Sequence, residues 1–285
     1  MSDTVQTKTG FAEVNGTRLY YEVAGQGHSL VLIHGGFADR RLWNDQFNVF
    51  AQHYKVIHYD VRGFGDSALI KAEDKPYSNY QDLYSLLQYL NIEKTYLLGL
   101  SLGGGIAIDF TLEHPEMVDA LIPVATGLGG FDFEEWIKGH PIKATFAEME
   151  EAFHNHDLSR AAELSLQAWT DGPARTSDKV NAAVRERVRA MTLHNWERPD
   201  DESTQPQELE PPAILRISEI SIPTLIIVGD QDIPAILTIA DILEAKIKEA
   251  KKVIISDTAH HLNMEKPAEF NQTVLDFLQS LDVVR

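Results

Sequence analysis

The stretch from Leu97 to Gly105, Leu-Leu-Gly-Leu-Ser-Leu-Gly-Gly-Gly, constrains this chain more than any other. An apolar run from Thr95 to Leu98 stops at Gly99, Ser101 follows, and three glycines lead into Ile106-Ala107-Ile108. The order predicts a buried strand, a sharp turn with a serine at its apex, and a helix from Leu102 to about Glu113. The spacing has a steric reason. A serine held in a strained backbone conformation projects its hydroxyl clear of a sheet, and small neighbours lower the cost of that strain. Gly99 and Gly103 stand two residues to either side, where a Cβ would collide. The N–H groups at the start of the helix favour negative charge close to the hydroxyl.

The rest of the first half alternates strand and helix. Phe11 to Val14 and Leu19 to Val23 flank Asn15-Gly16, a strong hairpin signal. Ser29 to Ile33 and Tyr54 to Tyr59 read as strands, the first a continuous apolar run expected of a strand buried on both faces. Ser78-Asn79-Tyr80-Gln81 has the form of a capping box, with Leu83, Leu86, Leu87 and Leu90 at helical spacing behind it. A further strand is expected from Met117 to Ala125. Such alternation implies a mostly parallel central sheet with helices on both faces. Reactive groups in such sheets lie beyond the carboxyl ends of the strands, where His34, Asp60 and Ser101 all fall.

The rhythm breaks at Gly127-Leu128-Gly129-Gly130. From residue 131 to residue 212 the patterns are helical and no strand is evident. Thr145-Phe146-Ala147-Glu148 is a second capping box, with Phe146, Met149 and Phe153 on one face. Val180, Val184, Val188 and Met191 form another apolar stripe, and the acidic, proline-containing run from Glu197 to Pro212 reads as an exposed connection. The division expected is core (1–130), inserted helical cap (131–212) and core again (213–285). Alternation resumes with a strand from Thr224 to Val228, a helix from Ala235 to about Ala250, a strand from Lys252 to Ile255 and a last helix from Pro267.

A serine hydroxyl is a weak nucleophile near neutral pH and needs an adjacent base oriented by a third group. The strand Thr224–Val228 runs into Gly229-Asp230-Gln231-Asp232, and the last strand into Asp257-Thr258-Ala259-His260-His261. An acid and a base thus emerge in the order serine, acid, histidine at the edge that carries Ser101. Spacing alone leaves Asp230 or Asp232, and His260 or His261, open.

Over nearly its whole length the chain resembles the cap-bearing α/β-hydrolase superfamily, particularly its esterase, enol-lactonase and perhydrolase-like members. The resemblance rests on His34-Gly35-Gly36-Phe37, the run Asp60 to Ser67, Gly99 to Gly104, Gly229 to Asp232, and His260 with Glu265-Lys266-Pro267. It implies an α/β-hydrolase fold with Ser101 as nucleophile, Asp232 as acid and His260 as base. Ala259 stands where the family often has glycine. The resemblance also implies an oxyanion hole from the N–H groups of Leu102 and Gly36, with Phe37 competing for the second place. Phe37, Trp136 and Phe146 are expected to bind substrate. The activity implied is cleavage of a carboxylic ester or lactone without metal or organic cofactor. Carbon–carbon cleavage beside a ketone, acyl transfer, peracid formation, and a ligand-binding receptor with negligible turnover stand as alternatives.

Other features carry less. His34 is expected to fix its loop, and Asp60 to be structural. His154-Asn155-His156-Asp157 offers a metal no third ligand fixed by spacing, so a solvated surface is expected there. The formal charge of −18 argues against nucleic acid and anionic membrane surfaces as partners. Met1-Ser2-Asp3-Thr4 carries no basic or apolar segment, so no secretory signal is expected. The absence of cysteine fits a reducing compartment, and a cytoplasmic monomer or homodimer acting on a small molecule is the expectation.

Overall fold

The computed structural model describes residues 6–71, 76–198 and 205–282. The expectation for the first residues, Met1 to Thr4, lies outside them. An eight-stranded sheet comprises β1 (Lys8–Val14), β2 (Thr17–Ala24), β3 (Ser29–Ile33), β4 (Lys55–Tyr59), β5 (Thr95–Leu100), β6 (Val118–Val124), β7 (Thr224–Gly229) and β8 (Ala250–Ile255). Its spatial order is β1-β2-β4-β3-β5-β6-β7-β8. The hairpin β1–β2 is antiparallel and adds antiparallel to β4, while all pairs from β4 to β8 are parallel. Every residue of β3, β5 and β7 is buried, which is why those segments read as continuous apolar runs.

Helices α1 (Asn44–Phe50), α2 (Asn79–Tyr89), α3 (Leu102–Glu113), α8 (Pro234–Lys246), α9 (Leu262–Glu265) and α10 (Pro267–Asp282) accompany the sheet. Between β6 and β7 the chain forms α4 (Phe133–Ile137), α5 (Ile142–His154), α6 (Leu158–Ser165) and α7 (Ala182–Trp196), with a π-helical turn over Leu166–Asp171. Val184, Val188 and Met191 of α7 join the main core, whereas Ala152, Ala161 and Leu164 form a small separate cluster with Met149, Phe153 and Trp196. Among the described residues no helix is long and apolar enough to cross a membrane.

Three details differ from the expectation. Ser78 caps α2 by position, but its side chain makes no capping hydrogen bond. Thr145 lies inside α5, which begins three residues earlier behind Pro141, a residue whose fixed φ suits a helix start. Helix α8 ends at Lys246 rather than near Ala250, because Ala250 already pairs with Thr224 in the sheet. Local helix propensity there yields to sheet pairing.

The parallel register brings the functional loops together. Ile33 pairs with Gly99, Leu100 with Val124, Val124 with Ile227 and Gly229 with Ile255. The loops that follow β3, β5, β7 and β8 therefore open at one edge of the sheet.

Candidate active site

Ser101 joins β5 to α3 with φ 55° and ψ −115°. A residue with a side chain adopts such a conformation at a cost of about 1–3 kcal/mol, so the surroundings must enforce it. They do so through the backbone. The Ser101 N–H donates to the Val124 carbonyl (2.9 Å), and the Ser101 carbonyl accepts from the N–H groups of Gly105 (3.1 Å) and Gly127 (3.2 Å). A Cβ on Gly99 would lie 2.1 Å from the Gly103 carbonyl oxygen, and one on Gly103 would lie 2.2 Å from that of Ile33. Neither neighbour is a side chain that can swing away. Gly99→Ala should therefore destabilise the protein by about 1–3 kcal/mol, visible as a lower thermal midpoint. An unchanged midpoint would show that the turn can relax.

Asp232 and His260 converge from the loops after β7 and β8. Asp232 Oδ2 lies 2.9 Å from His260 Nδ1, and Oδ1 accepts the Ile233 N–H at 2.7 Å. The Asp232 side chain is completely buried and that of His260 nearly so. With Nδ1–H donated to the carboxylate, Nε2 of His260 is the ring nitrogen left free to accept a proton. His260 and Ser101 line the same cavity of about 80 Å³, together with Gly36, Phe37, Trp169 and His261. Asp230 is exposed, and its side chain accepts from the neighbouring Gln231 amide at 3.1 Å.

A family model described as alpha/beta hydrolase fold matches residues 28–267. The chain belongs to the α/β-hydrolase fold family. Among curated relatives, it is 27% identical to 2-hydroxy-6-oxo-6-phenylhexa-2,4-dienoate hydrolase of Comamonas testosteroni, over 92% of this chain and 91% of that protein. It is 28% identical to 2-hydroxy-6-oxononadienedioate/2-hydroxy-6-oxononatrienedioate hydrolase of Paraburkholderia xenovorans, over 97% of this chain and 95% of that protein. Among solved structures, an N-acyl homoserine lactone degrading enzyme superposes with a TM-score of 0.72 at 25% identity, covering 94% of this chain and all of that one. The enol-lactonase from Burkholderia xenovorans has a TM-score of 0.74 at 23% identity, covering 95% and 100%, a likeness of fold.

The site of this α/β hydrolase has further parts. Leu102 opens α3, so its N–H has no carbonyl to bond within the helix. Gly36 borders the small cavity with open space where a Cβ would stand. Phe37, at φ 58°, lines the same small cavity as Gly36. His34 is fully buried: its Nε2 accepts the Val61 N–H (2.9 Å), leaving Nδ1 to donate to the Gly35 carbonyl (2.8 Å). Burial holds this imidazole below its usual pKa, hence neutral, and it ties the loop after β3 to the loop after β4. Asp60 accepts from Arg40 N, Arg40 Nη1 and Asp66 N, and is occupied as a loop brace.

An apolar chamber of about 450 Å³ adjoins the small cavity through Phe37 and Trp169. Phe146 lines it, alongside Phe133, Ile137 and Trp196. Trp136 does not. Phe133 and Ile137 of α4 line the chamber, while the Trp136 ring packs against that of His140 at 5.6 Å. His154, from the possible metal run, bonds the Glu150 carbonyl, and Asp157 caps α6.

Sequence reasoning missed several residues. Trp169 lies 4.6 Å from His260, ring centre to ring centre. Thr170 Oγ1 lies 3.1 Å from His261 Nδ1. Asn195 accepts the Gly65 N–H and donates to the Ala38 carbonyl, joining α7 to two active-edge loops. Arg175 bonds the Thr170, Asp171 and Asp257 carbonyls and both oxygens of Glu265. The only sequence signal for these was their place in an aromatic and charged helical insertion.

Proposed function

We propose that the protein is a serine hydrolase that cleaves a carboxylic ester or lactone through an acyl-enzyme on Ser101. One observation carries the reading: a serine in an enforced left-handed turn shares a cavity with a histidine whose other nitrogen is bonded to a buried aspartate. His260 Nε2 takes the proton as Ser101 Oγ bonds to the carbonyl carbon. The oxyanion forms beside the N–H of Leu102 and that of Gly36 or Phe37. Collapse breaks the bond to the leaving oxygen, which receives the proton from His260. Water then repeats the sequence on the acyl group: His260 takes its proton, the acid is released, and Ser101 regains its hydrogen. Asp232 holds the imidazole tautomer and balances its charge throughout. The helical insertion acts as a cap, and its apolar chamber takes the larger, uncharged arm of the substrate.

A second reading, hydrolysis of a carbon–carbon bond beside a ketone, is favoured by the two dienoate hydrolases that match almost end to end. The likeness to a lactone-degrading enzyme favours the first. A panel of chromogenic short-chain esters, lactones and diketones separates them by which class turns over. The nucleophile has its own test. An organophosphonate should add one phosphonyl group to the protein, and peptide mapping should find it on Ser101. An adduct on any other serine overturns the assignment.

A further inference from the structure

The π-helical turn Leu166–Asp171 is fastened to both loops that carry the acid and the base. The His260 N–H donates to the Trp169 carbonyl at 3.1 Å. Thr170 Oγ1 meets His261 Nδ1. Gly172, at φ +78°, ends the turn so close to the acid loop that a Cβ would fall 2.1 Å from the Gln231 carbonyl oxygen. Arg175 closes the back of the turn by bridging its carbonyls to Glu265, whose Oε1 also accepts the Ala259 N–H. π-turns cost regular hydrogen bonding and recur at functional sites. Here the turn holds one indole against the imidazole, with centroids 4.6 Å apart and planes inclined by 51°. That distance lies within the roughly 6 Å over which an aromatic face attracts a cation.

We propose that Trp169 is a positioning residue that stabilises the imidazolium formed on His260 through the negative face of its indole, as a second partner beside Asp232. The inference rests on His260 being the base of the proposed reaction. The other groups facing the His260 ring do not supply this stabilisation. Asp232 is committed to Nδ1 in the ring plane. His261, 5.7 Å away and edge-on, is kept neutral by burial, and Arg175 is paired with Glu265 behind the turn. Ser101 is the proton's source. Because the site is buried, the attraction should reach the upper part of the range for cation–aromatic contacts.

The decisive experiment changes the electronics of the indole without changing its shape. All four tryptophans are replaced by 5-fluoro- and then by 5,7-difluoro-tryptophan, in the natural chain and in Trp169→Phe. In the natural chain kcat/KM should fall stepwise, by about five- to thirty-fold at the second step. Weaker attraction for the cation lowers the affinity of His260 for its proton, so the acid limb of the pH profile should move to lower pH. In Trp169→Phe fluorination should change neither. The His260 imidazole titration, followed by NMR without substrate, should move in the same direction on fluorination of the natural chain alone. A titration that moves while no ester, lactone or diketone is turned over supports this inference and defeats the functional reading. Activity with no graded response, or the same response in Trp169→Phe, overturns the inference and leaves the functional reading standing.

Discussion

His260→Ala should lower kcat/KM on any ester substrate by about 10⁴- to 10⁶-fold, the scale seen when the base of a serine triad is removed. No other group in the small cavity can take its place. Among the described residues His261 is the only other base lining it, and burial pushes that imidazole down to about 3. Its Nδ1 is engaged with Thr170 Oγ1, and its ring stands edge-on to His260. His261→Ala should therefore keep activity within about ten-fold, while losing roughly 1–3 kcal/mol of stability from a vacated buried site. A second consequence follows for pH. Since His261 is uncharged at any pH well above 3, the rise of kcat/KM between pH 5 and 9 should contain one ionisation, not two. Steady-state kinetics of both variants, with thermal unfolding as a control for folding, make the comparison. Loss of turnover in His261→Ala with survival in His260→Ala would move the base by one residue.

Asp232→Asn should be nearly as damaging, because an amide cannot reproduce what this carboxylate does. Asp232 accepts two hydrogen bonds inside the protein, from the Ile233 N–H and from His260 Nδ1–H, and an asparagine has one oxygen. If that oxygen stays with Ile233, the amide N–H₂ faces Nδ1 and forces the proton onto Nε2, the atom that receives the Ser101 proton in the proposed reaction. If it turns to His260, two donors face each other at Ile233. The worked serine-protease case loses about 10⁴-fold on the same change, and a loss of that order is expected. Asp60 cannot substitute, because Arg40 and the Asp66 N–H occupy its oxygens. Asp230→Asn should change the rate by less than about two-fold, as an exposed and nearly unpartnered group. Measuring kcat/KM for both on one ester from pH 5 to 9 decides the matter. A near-normal Asp232→Asn beside a collapsed Asp230→Asn would shift the acid two residues upstream.

The features legible in the sequence are those whose causes are local. The Gly99–Ser101–Gly103 turn is written in three adjacent steric demands. Strands buried on both faces declare themselves as apolar runs, so β3 has its expected bounds. What depended on a distant partner was not legible. Ala250 reads as the end of a helix until Thr224 is placed beside it. Trp136 and Phe146 look alike as aromatics in the helical insertion, and only the folded packing sets one against His140 and the other in the chamber wall. Trp169 meets a histidine ninety-one positions further on, with no short-range pattern to announce it. The choice of Asp232 and His260 over their neighbours also lay beyond spacing, and was supplied by resemblance alone.

The fastening of the π-turn divides the helical insertion into two parts with different freedom to diverge. Helices α4 and α5 supply chamber walls, through Phe133, Ile137, Phe146 and Phe153, while the turn from Leu166 to Arg175 is sewn to the acid and histidine loops. Substitutions in the former can remodel what fits beside Ser101 and leave the proton machinery intact. A graft of helices from a relative would carry selectivity across if its downstream seam fell before Leu166. A seam inside the turn would exchange the indole, the Gly172 contact and the Arg175 bridge at once. Of the walls contributed by α5, Phe146 is in ring contact with Trp169, at 5.5 Å, and so is the point where new selectivity would first be felt at His260.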